Sequence, residues 1–230
     1  APALKKANIG VALGSGTDVA KEAADMVLLD DNFGTIISAI EEGRSMYKTI
    51  QKVILYLFST SLGEACTILV ALILGYPLPL LAAQIIWLNL VTDGFLDMAL
   101  AMEPQERGLL SGRFSHPNKY LVNRLMVQRM IFMALPMMIG VLILFQQYAG
   151  IDIQKAWTIS LTTLAAFQWF NAWNCRSEDK SIFQMNPFSN KFLLAATVVT
   201  VALQFMAIYT PFLQKILHTS PLSAADWFRI

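Results

Sequence analysis

The sequence predicts a mainly α-helical, multi-pass membrane protein that begins with a short α/β segment. Hydrophobic residues make up 56% of the 230 residues and charged residues only 14%, with a mean hydropathy of +0.52, which is too apolar for a soluble domain. Several apolar runs approach the roughly 20 residues that cross a bilayer as a helix. Residues 1–48 differ, because their charges are interspersed and they contain no such run.

The N-terminal segment has the pattern of strand, helix and strand. Residues 8–13 predict a short buried strand, a glycine-rich turn leads into a capped helix at 17–24, and residues 25–29 predict a second strand. This alternation is typical of the edge of an α/β sheet. So short a segment cannot enclose a sheet covered on both faces, so we expect it to be part of a larger domain.

A helix begins near Phe33 and continues without a proline into the first membrane span. The chain therefore divides into an α/β segment at 1–33, a stalk helix at 34–52 and a membrane domain at 53–230. The predicted spans cover about 53–74, 80–102, 126–148, 156–173 and 192–212, with the start of a further span from 224.

The positions of Lys and Arg predict the orientation. Six precede residue 53, five lie at 107–129 and three at 176–191, all on one side of the predicted membrane, while only Lys155 and Lys215 fall on the other side. The N-terminus and the two long loops are therefore expected to be cytosolic. In a prokaryote the membrane would be the plasma membrane.

Charge and cysteine content exclude other classes. A formal net charge of +1 does not suit a nucleic-acid partner. Cys66 and Cys175 lie in or at the end of apolar runs, and we expect both to be reduced, packed side chains. His116 and His218 are isolated and have no metal-ligand spacing. No basic start precedes a short apolar core, so no signal peptide is expected.

Three acidic residues lie inside the first two predicted spans. Glu64 is about 16 Å deep at 1.5 Å per residue, Asp93 falls at a similar depth in the second span, and Asp97 follows it by one helical turn. Charge at this depth is costly, so such residues are functional candidates by default. Neither predicted span contains a Lys or Arg that would neutralise them.

Neutral oxygen donors accompany these acids at helical spacing. Asn89 and Thr92 precede Asp93 by four residues and one residue, and Ser61 precedes Glu64 by three. Calcium prefers six to eight oxygens of this mixed kind. We therefore expect a cation site here; the alternative is hydrogen-bonded packing with protonated acids.

The fourth predicted span carries amides rather than acids. Gln168, Asn171 and Asn174 lie three residues apart on one helical face. From the sequence alone, ligation and hydrogen bonding between helices remain equally open for these residues.

Four stretches together carry a resemblance. Residues 88–94 read Leu-Asn-Leu-Val-Thr-Asp-Gly, residues 41–44 read Glu-Glu-Gly-Arg, residues 1–5 read Ala-Pro-Ala-Leu-Lys, and 8–13 with 25–33 form the strand segments. The chain resembles, over essentially its whole length, the C-terminal portion of P-type cation-transporting ATPases, in the branch of calcium pumps and their prokaryotic relatives. In that family, the stretch similar to 88–94 is the unwound sixth membrane helix that holds the ion, and the stretch similar to 41–44 belongs to the stalk. The stretch similar to 1–5 follows the hinge motif, and those similar to 8–13 and 25–33 are the closing strands of the phosphorylation domain.

The resemblance implies that the chain is a fragment of an ATP-hydrolysing translocase, holding the fifth to ninth membrane helices and the start of the tenth. The actuator, nucleotide and remaining phosphorylation domains, the first four membrane helices, and the sites for ATP and Mg²⁺ would lie elsewhere in the pump. No catalytic residue is then expected in this chain, and the chain alone is not expected to hydrolyse ATP.

The resemblance also assigns ligands. Glu64, Asn89, Thr92 and Asp93 match positions that ligate calcium in the two-site pumps. Three positions depart from the calcium-pump pattern and are further candidates: Ser61 stands where those pumps have Asn, Gln168 where they have Glu, and Asp97 where they have a small apolar residue. Calcium is the expected ion, and the alternatives are a sodium, proton or other cation pump, a channel-like protein, or a truncated protein without transport.

Overall fold

A computed structural model of the chain describes residues 1–105, 110, 121–177 and 184–230. Arg107, Arg113, Lys119 and Lys180, which contribute to the predicted orientation, and His116 lie outside these residues. The described residues form two compact units. One contains residues 1–48, and the other, the helical unit, contains residues 49–105, 121–177 and 184–230.

The N-terminal unit contains the predicted strand, helix and strand. The elements are α1 (Pro2–Lys6), β1 (Val11–Leu13), α2 (Asp18–Glu22) and β2 (Met26–Leu28). The two strands are parallel and Val11 pairs with Met26. The side chain of Thr17 caps α2 by accepting from the N–H of Ala20. The strands are shorter than predicted, and α1 was not expected from the sequence.

A carboxylate after β2 bonds to the loop that follows β1. Asp31 accepts a 3.0 Å hydrogen bond from the backbone N–H of Ser15, which leads from β1 towards α2. This bond holds the pKa of Asp31 below its usual range.

The longest helix, α3 (Gly34–Ile73), is continuous, as the sequence predicts. Two residues after its end at Ile73, Gly75 has a φ of +74°, in the left-handed region that favours glycine. The N–H groups of Gly75 and Tyr76 bond back to the carbonyls of Leu72 and Ala71, which satisfies the last turn.

Most of the remaining helices have bounds near those of the predicted spans, whereas the short helix Pro211–Leu217 was not predicted as a separate helix. They are α4 (Ala82–Trp87), a π-helix (Leu88–Asp93), α5 (Gly94–Ala101), α6 (Arg124–Ala149), α7 (Ile153–Asn174), a 3₁₀ turn (Pro187–Ser189), α8 (Lys191–Tyr209), α9 (Pro211–Leu217) and α10 (Ala224–Trp227). The span predicted to reach residue 212 stops at Tyr209, because Thr210 is extended before Pro211, which opens α9.

Three helices of the described part, α3, α6 and α8, are long and apolar enough to cross a membrane. The predicted second span is divided between α4, the π-helix and α5. The predicted fourth span is α7, which buries many polar side chains: Thr158, Ser160, Thr162, Thr163, Gln168 and Asn171. The mainly helical fold class with a small strand pair is confirmed.

Apolar packing surrounds the middle of the helical unit. One buried cluster joins Leu55 and Tyr56 of α3 to Leu96 and Leu100 of α5. A second cluster contains Leu88 of the π-helix together with residues of α6 and α7. The polar residues described below are therefore held in apolar surroundings.

Candidate cation site

The site centres on the π-helix Leu88–Asp93, which contains Asn89, Thr92 and Asp93. A π-helix is rare, occurs mostly as a single widened turn, and is frequent at functional sites. The resemblance implied an unwound helix here. The structure corrects that expectation, since the backbone stays helical from Ala82 to Ala101 and is widened rather than unwound.

Asp93 is buried, with only 1% of its surface exposed. Its Oδ1 accepts a 2.6 Å hydrogen bond from the hydroxyl of Tyr56, and its Oδ2 accepts a 3.2 Å bond from the hydroxyl of Thr60. Both donors belong to α3 and lie one turn apart. Helix α3 therefore fixes both oxygens of this carboxylate.

Glu64 lies one turn further along α3 and is 5% exposed. Its Oε2 accepts from the Asn89 amide at 3.0 Å, and its Oε1 accepts from the Gln168 amide at 2.8 Å. This single carboxylate thus links α3 to the π-helix and to α7.

A second link between α3 and α7 lies beside the first. The amide of Asn171 donates to the hydroxyl of Ser59 at 2.7 Å, and that hydroxyl donates to the carbonyl of Tyr56. The sequence interpretation left the roles of Gln168 and Asn171 open. The structure brings both to α3, whereas Asn174 is exposed.

The other predicted ligands differ in their surroundings. Thr92 is buried, whereas Asn89 and Ser61 are exposed in this chain. Oδ1 of Asp97 is buried and has no hydrogen-bond partner among the described residues. Oε1 of the fully buried Gln168 is likewise without a partner there.

The sequence interpretation missed three residues: Tyr56, Ser59 and Thr60. Tyr56 and Thr60 precede Glu64 by eight and four residues, so helical spacing alone places them on the same face of α3. The signal in the sequence was therefore the helical spacing of these two hydroxyl residues from Glu64.

The groups that could bind a cation at this site are carboxylate, amide and hydroxyl oxygens. Within the described part of the chain, no group of three His, Cys, Asp or Glu side chains is placed to hold a metal ion. A cation here would therefore be held by two carboxylates, Glu64 and Asp93, together with amide and hydroxyl oxygens. Hard cations such as calcium accept such a set.

The fold and the site together define a helical, multi-pass membrane protein with buried acids and amides at its centre. Residues 77–230 match the family described as the C-terminus of cation-transporting ATPases. The chain belongs to this family, which confirms the resemblance.

Relatives with assigned names support the same assignment. The chain is 40% identical, over its whole length, to a calcium-transporting ATPase of Bacillus subtilis (strain 168), and covers 26% of that protein. It is 38% identical over 98% of its length to calcium-transporting ATPase 1 of Yarrowia lipolytica, covering 25% of that protein. It is 36% identical, over its whole length, to a probable cation-transporting ATPase F of Mycobacterium tuberculosis (H37Rv), covering 26% of that protein. The chain thus spans about a quarter of these relatives.

Proposed function

We propose that this chain is the membrane portion of an ATP-driven cation pump and that Glu64, Asn89, Thr92 and Asp93 bind the transported ion, most simply Ca²⁺. The observation that carries the proposal is the pair of buried acids, each held by polar donors from neighbouring elements within apolar packing. Buried polar networks in a membrane protein are costly and usually functional. The names of two relatives support calcium.

The hydrogen bonds to Glu64 suggest how the site would change when it binds an ion. Asn89 and Gln168 now present their amide N–H groups to Glu64. Rotation of each amide by half a turn would present its oxygen instead, which is the atom that a cation needs. The site would thereby exchange two hydrogen bonds for two additional ligands.

Three further residues are candidates with weaker support. Gln168 contacts Glu64 directly, so it is the first candidate to add to the set. Asp97 offers a buried oxygen without a described partner, which favours an extra cation or proton and keeps a sodium or proton pump as the alternative. Ser61 is exposed in this chain and would need another part of the pump beside it.

The remaining parts of the pump would be supplied by other segments. In the family, ATP phosphorylates the Asp of an Asp-Lys-Thr-Gly motif, and this sequence does not contain that motif. We therefore propose that ATP and Mg²⁺ bind outside this chain and that the chain alone does not hydrolyse ATP. The actuator, nucleotide and phosphorylation domains and four further membrane helices would be its partners. Exposed apolar side chains such as Phe132 and Leu90 would face lipid or those helices.

The test is the ion dependence of phosphorylation in the complete ATPase that contains this chain. We expect micromolar Ca²⁺ to trigger formation of an acid-stable phosphoenzyme from ATP, at fixed Na⁺ concentration and fixed pH. Phosphorylation that follows Na⁺ or proton concentration and ignores Ca²⁺ would contradict the choice of ion. Phosphorylation that ignores all three would contradict a cation site.

A further inference from the structure

The largest fully buried side chain in the described part of the chain is charged. Arg176 follows Cys175, the C-cap of α7, and is 1% exposed. Its Nε donates to Oε2 of Glu103 at 3.1 Å and its Nη2 donates to Oε1 at 2.9 Å. Nη2 also donates to the hydroxyl of Ser189 at 2.6 Å.

Asn190 extends this contact to a third helix. As the N-cap of α8, its Oδ1 accepts from the N–H of Leu193 at 2.9 Å. Its Nδ2 donates to Oε2 of Glu103 at 2.6 Å and to the carbonyl of Ala99 in the last turn of α5 at 3.0 Å. We call Glu103, Arg176, Ser189 and Asn190 the Arg176 cluster; it joins the end of α5, the end of α7 and the start of α8.

Stability alone does not explain an ion pair at this place. Apolar residues of similar volume can often replace a buried ion pair with no loss of stability, or even with a gain. What the ion pair adds is geometry, because the planar guanidinium fixes both the distance and the direction of a carboxylate that it binds through two bonds.

Two of the three helices joined by the Arg176 cluster lead directly to the candidate cation site: α5 continues from the π-helix that ends at Asp93, and α7 carries Gln168. Asp93 directly precedes α5 and lies about 15 Å along the helix from Glu103, at 1.5 Å per residue. Gln168 lies on α7, about 12 Å before Arg176. A shift of α5 against α7 would therefore change the position of Asp93 relative to Gln168 and to Glu64, to which Gln168 is bonded.

We propose that Arg176 is a positioning residue for the cation site. Through Glu103 and Asn190 it fixes the end of α5 against α7 and α8, and this keeps Asp93 and Gln168 in register. The inference rests on the proposed function of those two residues. It assigns to Arg176 no contact with the ion itself.

The test compares two changes at the cluster with one control in the complete ATPase. Arg176→Lys keeps the positive charge but cannot bind the carboxylate of Glu103 through two hydrogen bonds at once. The double variant Arg176→Met with Glu103→Leu replaces the ion pair by apolar packing. The control, Lys155→Met with Asp226→Leu, replaces a second ion pair, between the partly exposed Lys155 and the buried Asp226, which joins α7 to α10 and does not involve α5. For each variant the half-maximal Ca²⁺ concentration for phosphorylation and the melting temperature are measured.

We expect the half-maximal Ca²⁺ concentration to rise about three- to thirtyfold in both cluster variants, the range typical of changes that act on a distant site through packed helices, with a melting temperature near that of the wild type. The control should keep the wild-type Ca²⁺ dependence. If the double variant fails to fold, Arg176→Lys decides alone. Wild-type Ca²⁺ dependence in the folded cluster variants, an equal rise in the control, or a rise matched by a loss of melting temperature would overturn the proposal.

The variant Asp93→Asn, measured in parallel, separates this inference from the proposed function. If Asp93→Asn loses Ca²⁺ dependence while the cluster variants keep it, the site stands and the positioning role fails. If Asp93→Asn behaves as the wild type, the proposed site itself fails.

Discussion

The hydroxyl of Tyr56 lies 2.6 Å from Oδ1 of Asp93 and donates a hydrogen bond to it. Tyr56 is fully buried, and its ring packs in the same cluster as residues of α5 and α8. The carboxylate at the end of the π-helix is therefore oriented by a side chain of α3, the helix that also carries Glu64. Asp93 and Glu64 are thus linked through α3, which carries Glu64 and both hydroxyl donors to Asp93.

Tyr56→Phe should weaken cation binding by roughly tenfold or more, because it removes a hydroxyl that orients a proposed ligand while keeping the buried ring. Thr60→Val should weaken binding less, because its bond to Asp93 is longer, 3.2 Å against 2.6 Å. Equilibrium binding of radioactive Ca²⁺ to the complete ATPase measures both. Wild-type binding by both variants would show that these donors do not set the affinity.

Gln168→Ala should raise the half-maximal Ca²⁺ concentration far less than Asp93→Asn does, because water can replace an uncharged oxygen. The matched control is Asn174→Ala, an exposed amide on the same helix, which should change nothing. Calcium-dependent phosphorylation measures all three. Equal losses from the changes at Gln168 and Asp93 would make Gln168 a principal ligand.

Asp226→Asn should lower stability without changing the response to cations. Asp226 is buried and pairs with Lys155 at 2.8 Å, and it also accepts from the hydroxyl of Tyr148 at 2.9 Å. Because Lys155 remains partly exposed, we expect a loss of about 2 kcal/mol rather than the larger cost of a fully buried pair. Thermal unfolding with and without Ca²⁺ tests this. An unchanged melting temperature would contradict the expectation.

Three helical glycines should respond differently to alanine. A Cβ on Gly140 would lie 2.9 Å from Cε2 of Phe167, so the ring or the helix that carries it would have to shift. A Cβ on Gly63 would lie 3.2 Å from Sδ and 3.3 Å from Cβ of Met137, and a Cβ on Gly43 would meet nothing within 4 Å. We expect Gly140→Ala to be the most destabilising, Gly63→Ala to be less so, and Gly43→Ala to stabilise by up to about 1 kcal/mol. A different order of melting temperatures would contradict this packing.

Most of the helices could be predicted because their signals are local. Apolar runs locate them, and side chains that cap helices, such as Asn123, Asp152 and Ser223, stand at their starts. The π-helix could not be predicted in this way, because no apolar run or capping residue distinguishes a widened turn from an ordinary helical one. The break at Thr210 was predictable from Pro211, whose ring disfavours a helical conformation in the residue before it.

The acidic residues of the site could be predicted from the sequence, because burying a charged side chain in a membrane is costly. Glu64 and Asp93 stand out as acids within apolar runs. Tyr56 and Thr60, which donate to Asp93, are signalled only by their helical spacing from Glu64, since a hydroxyl in such a run is common. The contact between Glu103 and Arg176 joins residues 73 positions apart, so no local sequence pattern predicts it. Contacts of this kind follow from the packing of whole helices.

The most direct test of the proposed site is equilibrium Ca²⁺ binding to the complete ATPase with one proposed acid replaced at a time. The variants are Glu64→Gln and Asp93→Asn, and the control is Asp152→Asn, which removes a carboxylate from the N-cap of α7 but leaves a residue that caps equally well. We expect each of the first two changes to abolish high-affinity binding at neutral pH and the control to bind as the wild type does. Wild-type affinity in both Glu64→Gln and Asp93→Asn would show that these buried acids serve packing and that the ion binds elsewhere.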